Sequence, residues 1–464
     1  MRFLIGAAAL LSAMHPALAH GPGENHNEPY VPPVFVAPKP MAPGQQNVAS
    51  AHAHEVWLVD QSNTAGKNYG GAIHIYDGEA LRTAASRAVA ERIDLGAAAA
   101  ALCTAKTGVN PVRPHMLTFN ATQTHAILSF VASGHVLFID AQRRTPVDCV
   151  RTEPGLNNVR QAHAVWPSPD DQYVLVANQN GKKFERIRTN YPANAFSQQP
   201  AATLNLATCT TPNHLPCQEP TLRPDNAPIC PFIPSSGFPA YVSLRGGGMF
   251  AVDYRATPMK IIAEYDAMTI PRDGCGFVEA NGWVFGNGGG GNAANLDGWY
   301  LYRVPVAGPV TYSADNPPNH PMPQVLAHDV RSNRDAHGTT RTGGGRYKYV
   351  WFFDRLANVV EVYESDTGAK VNTVNIADPL ISLDPTPDLI AESPDRRFVY
   401  ASLRGPNPLS GDPHASLGST PGLLVMEVLQ DGRSMAVRGL ARITNVDANG
   451  FERADGHGVQ WRRK

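Results

Sequence analysis

The chain has 464 residues, is 43% hydrophobic and 17% charged, and sets 39 Lys+Arg against 40 Asp+Glu. That length and apolar share allow a sizeable core in one large unit. The charge balance leaves no global field to draw in nucleic acid or an anionic membrane, so the expected partners are a small-molecule ligand or another protein.

In chain order, the first element is a signal peptide over residues 1–19. Arg2 supplies its positive end, residues 3–12 its apolar stretch and Ala17-Leu18-Ala19 its small-residue cleavage site. The apolar stretch is too short to span a bilayer, and no later segment approaches eighteen apolar residues. A periplasmic or secreted protein beginning at His20 is therefore expected. His20 could chelate copper through its amine and imidazole, but Gly21-Pro22-Gly23 after it favours a loose tail. Residues 20–48 read as a flexible leader rich in Pro, Gly and Asn.

Over 49–464 the pattern changes to short β-rich runs divided by Gly, Pro, Asn and Asp turns. The one sustained helical pattern covers 79–92. A unit of four strands recurs, clearest where Ser168-Pro169-Asp170 and Ser393-Pro394-Asp395 precede Val/Tyr-rich strands; Pro fixes φ and Asp bonds back to the backbone. The template places second strands at 56–59, 126–130, 173–177, 240–244, 283–285, 349–353 and 398–403. Opening strands start near His115, His163, Cys230, Cys275, His337 and Asp388. The first unit lacks its own, and residues 455–461 supply it from the other end of the chain. The prediction is an all-β, seven-bladed β-propeller in which a C-terminal strand completes the N-terminal blade and removes open sheet edges.

These turns and strands resemble the YVTN-type (WD40-like) repeats of exported bacterial propellers. The resemblance covers nearly the whole chain after the leader, and it implies a fold rather than a function. A looser resemblance links the chain to the propellers of nitrous oxide reductase and cytochrome d1. The former fills its axial positions with histidines throughout, whereas this chain has Cys or Asp at three of seven.

In a propeller the starts of the inner strands converge on the axis. In blade order those positions hold His457, His115, His163, Cys230, Cys275, His337 and Asp388. Imidazole and thiolate suit copper, iron or zinc, and carboxylate adds a harder ligand. A transition metal is expected on the four histidines, with Cys230, Cys275 and Asp388 as supplementary ligands. Two alternatives stay open: a channel lined by polar groups that bind only water, and a disulfide joining Cys230 to Cys275. All six cysteines favour disulfides in an exported chain, and Cys209 with Cys217 makes a plausible local pair.

The ends of the second strands face the same way and hold Asp60, Asn178, Arg245, Asn287, Asp354, Arg355 and Arg404. Arginine forks match carboxylate or phosphate, so all of these but Asp60 are expected to bind a small anionic or oxygen-rich substrate. Blade-to-blade salt bridges are the alternative. Glycines at 246–248 and 288–291 fall at these turns without a following helix, which argues against a phosphate loop. The insertion at 405–414 extends the seventh blade as a candidate lid carrying His414. There is no Cys-x-x-Cys-His for covalent haem and no Gly-x-Ser-x-Gly elbow for a hydrolase. The function expected is a metal-dependent oxidoreductase, and the alternative is a non-catalytic periplasmic binding or scaffold propeller.

Overall fold

The computed structural model describes residues 53–270, 274–289, 299–306, 323–329, 334–409 and 417–464. The expected signal peptide, leader and His20 lie outside these residues. Turn chemistry starts each repeat. The Ser168 hydroxyl donates to Asp170 (2.5 Å) and accepts from Tyr173 N (3.0 Å), which delivers the chain into strand Tyr173–Asn178. Ser393 does the same with Asp395 (2.6 Å) and Phe398 N (3.0 Å) ahead of Phe398–Leu403. In the second blade Asn120 takes this part, its Oδ1 accepting from His125 N at 2.8 Å.

All seven expected second strands form: His54–Asp60, His125–Phe130, Tyr173–Asn178, Ala240–Leu244, Trp283–Gly288, Tyr349–Asp354 and Phe398–Leu403. Each belongs to its own antiparallel sheet, of five strands in the third blade and four in the other six. The chain is a seven-bladed β-propeller. Strand Gly456–Arg463 pairs with His54–Asp60, setting Trp461 opposite Val56 and Val459 opposite Leu58, so the C-terminus closes the first blade. The described residues form seven apolar clusters, one at each junction between neighbouring blades. At the closing junction Val56, Leu58 and Val459 pack against Leu389, Tyr400 and Leu423. Hydrophobic burial between blades thus holds the ring, with strand pairing inside each blade.

The helical pattern at 79–92 is cut short. A helix covers only Gly78–Ala84, capped by Asp77, whose Oδ1 accepts from Glu79 N and Ala80 N at 2.9 Å. By Glu91–Asp94 the chain is the outer strand of the first blade, where Ile93 is buried. Burial against the sheet outweighs helix propensity there. Helix Ala100–Thr107 was not anticipated; the Cys103–Cys149 disulfide pins it to strand Thr145–Arg151. Cys209 and Cys217 form the expected local bridge. All six cysteines are paired, which fits an oxidising compartment. No helix among the described residues is long and apolar enough to cross a membrane.

Candidate metal centre on the propeller axis

Each inner strand delivers one chemically active residue to the axis, and a local irregularity aims it. The pairing between inner and second strands shifts register across His115, His163, the Ile229–Cys230 step, His337 and Asp388. A β-bulge of this kind frees a residue from the alternation of the pleat and turns its side chain. Cys275 reaches the axis differently, from just ahead of the short strand Val278–Ala280.

Residues far apart in sequence thereby meet. The His115 and His457 rings stack at 3.6 Å between centroids, His163 stands 4.7 Å from His115, and His337 lies 5.7 Å from His457. Asp388 Oδ1 is 2.5 Å from His337 Nδ1, and its Oδ2 is 3.6 Å from His457 Nε2. Both Cys230 Sγ and Cys275 Sγ lie 3.9 Å from His163 Nδ1. The two cysteines are bonded to each other. This corrects their expected part as thiolate ligands, because a sulfur in a disulfide carries no thiolate charge to bind a metal.

The second strands brace the ring from behind. Ser129 Oγ donates to His163 O (3.1 Å), Ser243 Oγ to Gly274 O (2.9 Å), Asn287 Nδ2 to His337 O (2.9 Å) and Ser402 Oγ to His457 O. Each bond runs from one blade to the inner segment of the next. Ser243 and Ser402 each open a Ser-Leu-Arg-Gly sequence, at 243–246 and 402–405, whose arginines are the expected anion-binding groups. The serines are the part that recurs structurally.

Hydrogen bonds fix the histidine tautomers. Gln61 Nε2 donates to Asp455 Oδ2 at 2.9 Å, so its Oε1 faces His115 Nδ1 at 3.2 Å. An amide oxygen only accepts, which places the proton on His115 Nδ1 and the lone pair on Nε2. His457 Nδ1 donates to His115 O (3.3 Å), and His163 Nδ1 to Ile229 O (3.0 Å), with the same consequence. His115 Nε2 is buried without a partner. His337 Nδ1, although close to Asp388, lies off the direction a hydrogen bond requires and is likewise partnerless. Burial pushes His115 and His457 well below the ordinary histidine range, which keeps them neutral.

Asp388 sits opposite, fully buried. Burial would raise its carboxyl, but the permanently charged guanidiniums of Arg404 and Arg355 beside it hold it below the usual range. Arg404 Nη1 donates to it at 2.8 Å and Arg355 Nη1 at 3.2 Å. Arg404 also binds Asp455 (2.6 and 3.0 Å), and Arg355 binds Asp335.

The remaining expected ligand-binding groups have protein partners, Asn178 and Asp354 inside the fold and Arg245 at its surface. Asn178 donates to Glu185 (2.7 Å) and Glu153 O (2.8 Å), Arg245 pairs with Asp225 (2.5 Å), and Asp354 pairs with Arg334. Asn287 anchors the sixth blade as described. Gly247 and Gly248 take positive φ in a tight turn, and a side chain at Gly248 would meet Tyr265 O at 2.7 Å. His414 and the far end of its insertion lie outside the described residues. Gln61 and Asp455, which orient His115, were not singled out from sequence, because neither belongs to a motif.

No protein-family model matches the chain, and no curated protein is similar enough in sequence to count as a relative. Solved structures match in fold. A protein from Lactobacillus plantarum superposes with a TM-score of 0.55 at 10% identity, covering 89% of this chain and 100% of its own. A hypothetical selenium-binding protein from Sulfolobus tokodaii gives 0.54 at 11% identity, over 89% and 94%. Dihydro-heme d1 dehydrogenase NirN gives 0.46 at 12% identity, over 87% and 74%, and carries no argument. At such identities the likeness speaks for the fold alone.

Proposed function

We propose that this is an exported propeller holding one transition-metal ion on its axis through His115, His163, His337 and His457. One observation carries the reading: three ring histidines are bonded through Nδ1 to oxygen acceptors, which leaves Nε2 as the donor atom. Metal-binding histidines are held in this way, with the second ring nitrogen fixed by an outer acceptor. Burial favours the neutral imidazole that ligation needs. The ligand atoms of His337, Asp388 and His457 lie within 4.8 Å of one another, which supports the same reading and lets Asp388 join the ion.

Imidazole donors suit copper, iron or zinc, and with copper or iron the bound ion would supply one-electron redox chemistry. Gln61, His115 O and Ile229 O would hold the rings in orientation. Asp388, anchored by Arg355 and Arg404, would supply a fixed negative charge beside the ion. Metal analysis of protein prepared with copper, zinc or iron tests the reading. About one equivalent retained through dialysis against a weak chelator is expected from at least one preparation, and none from any would end it.

The non-catalytic binding propeller keeps one specific support. Arg355 and Arg404 are buried and paired with carboxylates, whereas Arg245 is exposed and meets Asp225 through Nε, which leaves it as the arginine placed to meet an anionic ligand.

A further inference from the structure

The Cys230–Cys275 disulfide lies on the axial ring itself, and no other ring position is joined covalently. It ties the inner segments of the fourth and fifth blades, whose junction is already packed by Phe232, Tyr241, Phe277 and Tyr302. A staple is thus not what this junction lacks. Its surroundings have a different character: His163 Nδ1 stands 3.9 Å from each sulfur, and the three possible ligand atoms lie within 4.8 Å of one another.

We infer that opening this disulfide creates a second metal site, of donor set Cys230, Cys275 and His163, selective for a soft or borderline ion such as copper(I), zinc or cadmium. Metal–sulfur bonds of about 2.3 Å and metal–nitrogen bonds of about 2.0 Å set tetrahedral ligand atoms about 3.5–3.8 Å apart. The nitrogen already stands near that distance from both sulfurs, so only the sulfurs must part. Cys275 precedes the three-residue strand Val278–Ala280, so strand pairing does not hold its backbone, although Ser243 Oγ holds the carbonyl of Gly274 before it (2.9 Å). Cys230 lies within strand Pro228–Phe232, with its N–H on Ser243 Oγ (3.3 Å), and stays fixed.

The step balances with a dithiol reductant. The dithiol gives two electrons and two protons and closes to its own disulfide, while the Cys230–Cys275 bond breaks to two thiols. Metal uptake then releases to solvent the two thiol protons and the His163 Nδ1 proton, now donated to Ile229 O, so that His163 bridges the two sites as imidazolate, Nδ1 on the new ion and Nε2 on the imidazole centre. Three protein ligands leave a fourth position open for a small ligand. The site shares only His163 with the imidazole centre, so the two readings can fail separately.

The test uses purified full-length protein, oxidised or treated with dithiothreitol and desalted, and cadmium(II) as the probe. Reduced protein should bind one more equivalent than oxidised protein, with a thiolate-to-cadmium charge-transfer band and both cysteines protected from alkylation. The Cys230→Ser/Cys275→Ser variant should lose that equivalent but keep the metal of the imidazole centre. The His115→Ala/His457→Ala variant should do the reverse. If the double-serine variant does not fold, peptide-by-peptide mapping of alkylation in wild type decides between these cysteines and the other four. The inference is overturned if reduced wild type binds no extra cadmium or if the band survives in the double-serine variant. Protection at the other four cysteines alone would also overturn it, as would a disulfide that opens only when near-ultraviolet dichroism shows the protein unfolded.

Discussion

His115, His163 and His457 occupy one arc of the axial ring, and Asp388 with Arg355 and Arg404 the other. Both arcs are largely buried, yet their polar atoms are treated differently. On the carboxylate arc Asp388 receives both guanidiniums, which are in turn held by Asp335 and Asp455. On the imidazole arc one nitrogen of each ring is bonded and His115 Nε2 is left without a partner. A buried unpaired polar atom costs about 1–3 kcal/mol, and a fold that satisfies the neighbouring arc so fully has the means to avoid it. The difference separates a structural arc, which should matter for stability, from a binding arc, which should matter for metal.

The largest effect is expected where both arcs are lost together. Truncation before Asp455 removes Asp455 from Arg404, His457 from the ring and the closing strand from the first blade. It exposes a sheet edge and the apolar surface of Val56 and Leu58. The truncated chain should show no cooperative thermal transition; one like that of the full chain would refute the closure account. Next is Asp388→Ala, which leaves two buried guanidiniums short of a partner and should cost about 3–5 kcal/mol in urea unfolding. His115→Ala breaks no ion pair and should cost less than about 2 kcal/mol. Equal costs would erase the distinction between the arcs.

How much of this was legible in the sequence follows from what repeats. The seven second strands and the seven axial positions recur with the blade, so the template found them despite weak identity between units. The pairing of Arg355 and Arg404 with Asp388 was not legible, because which guanidinium meets which carboxylate depends on neighbouring blades. Gln61 and Asp455 escaped for the same reason: their roles arise from contacts across about 390 residues of chain. The Cys230–Cys275 bond was open from sequence, since two adjacent axial cysteines suit a disulfide and a metal equally well.

Smaller effects sharpen the comparison. Ser402→Ala removes the brace on His457 O and leaves a buried carbonyl and the Leu389 N–H unpaired. A loss of about 1–3 kcal/mol is expected by urea unfolding, with weaker metal retention as well. Unchanged retention would mean that the brace serves the blade alone. Outside the ring, burial first and Arg92 second lower His74 to about 4. Its folded value is depressed, so the native state resists a proton that the unfolded chain accepts below about 6.5. Stability should therefore fall as pH drops from about 6.5 towards 4, by up to about 3 kcal/mol. His74→Leu should flatten that part of the unfolding curve without changing metal content.

The central claim is that the four ring histidines bind metal as one unit, and metal content of single variants measures it most directly. His115→Ala, His163→Ala, His337→Ala and His457→Ala should each lower retention at least tenfold against a fixed chelator while the protein stays folded, since affinity depends on several ligands sharing one ion. His74→Ala, His125→Ala and His135→Ala, on second or third strands, should retain metal like wild type. Metal absent from wild type in every preparation, or ring and control variants that behave alike, would contradict the account.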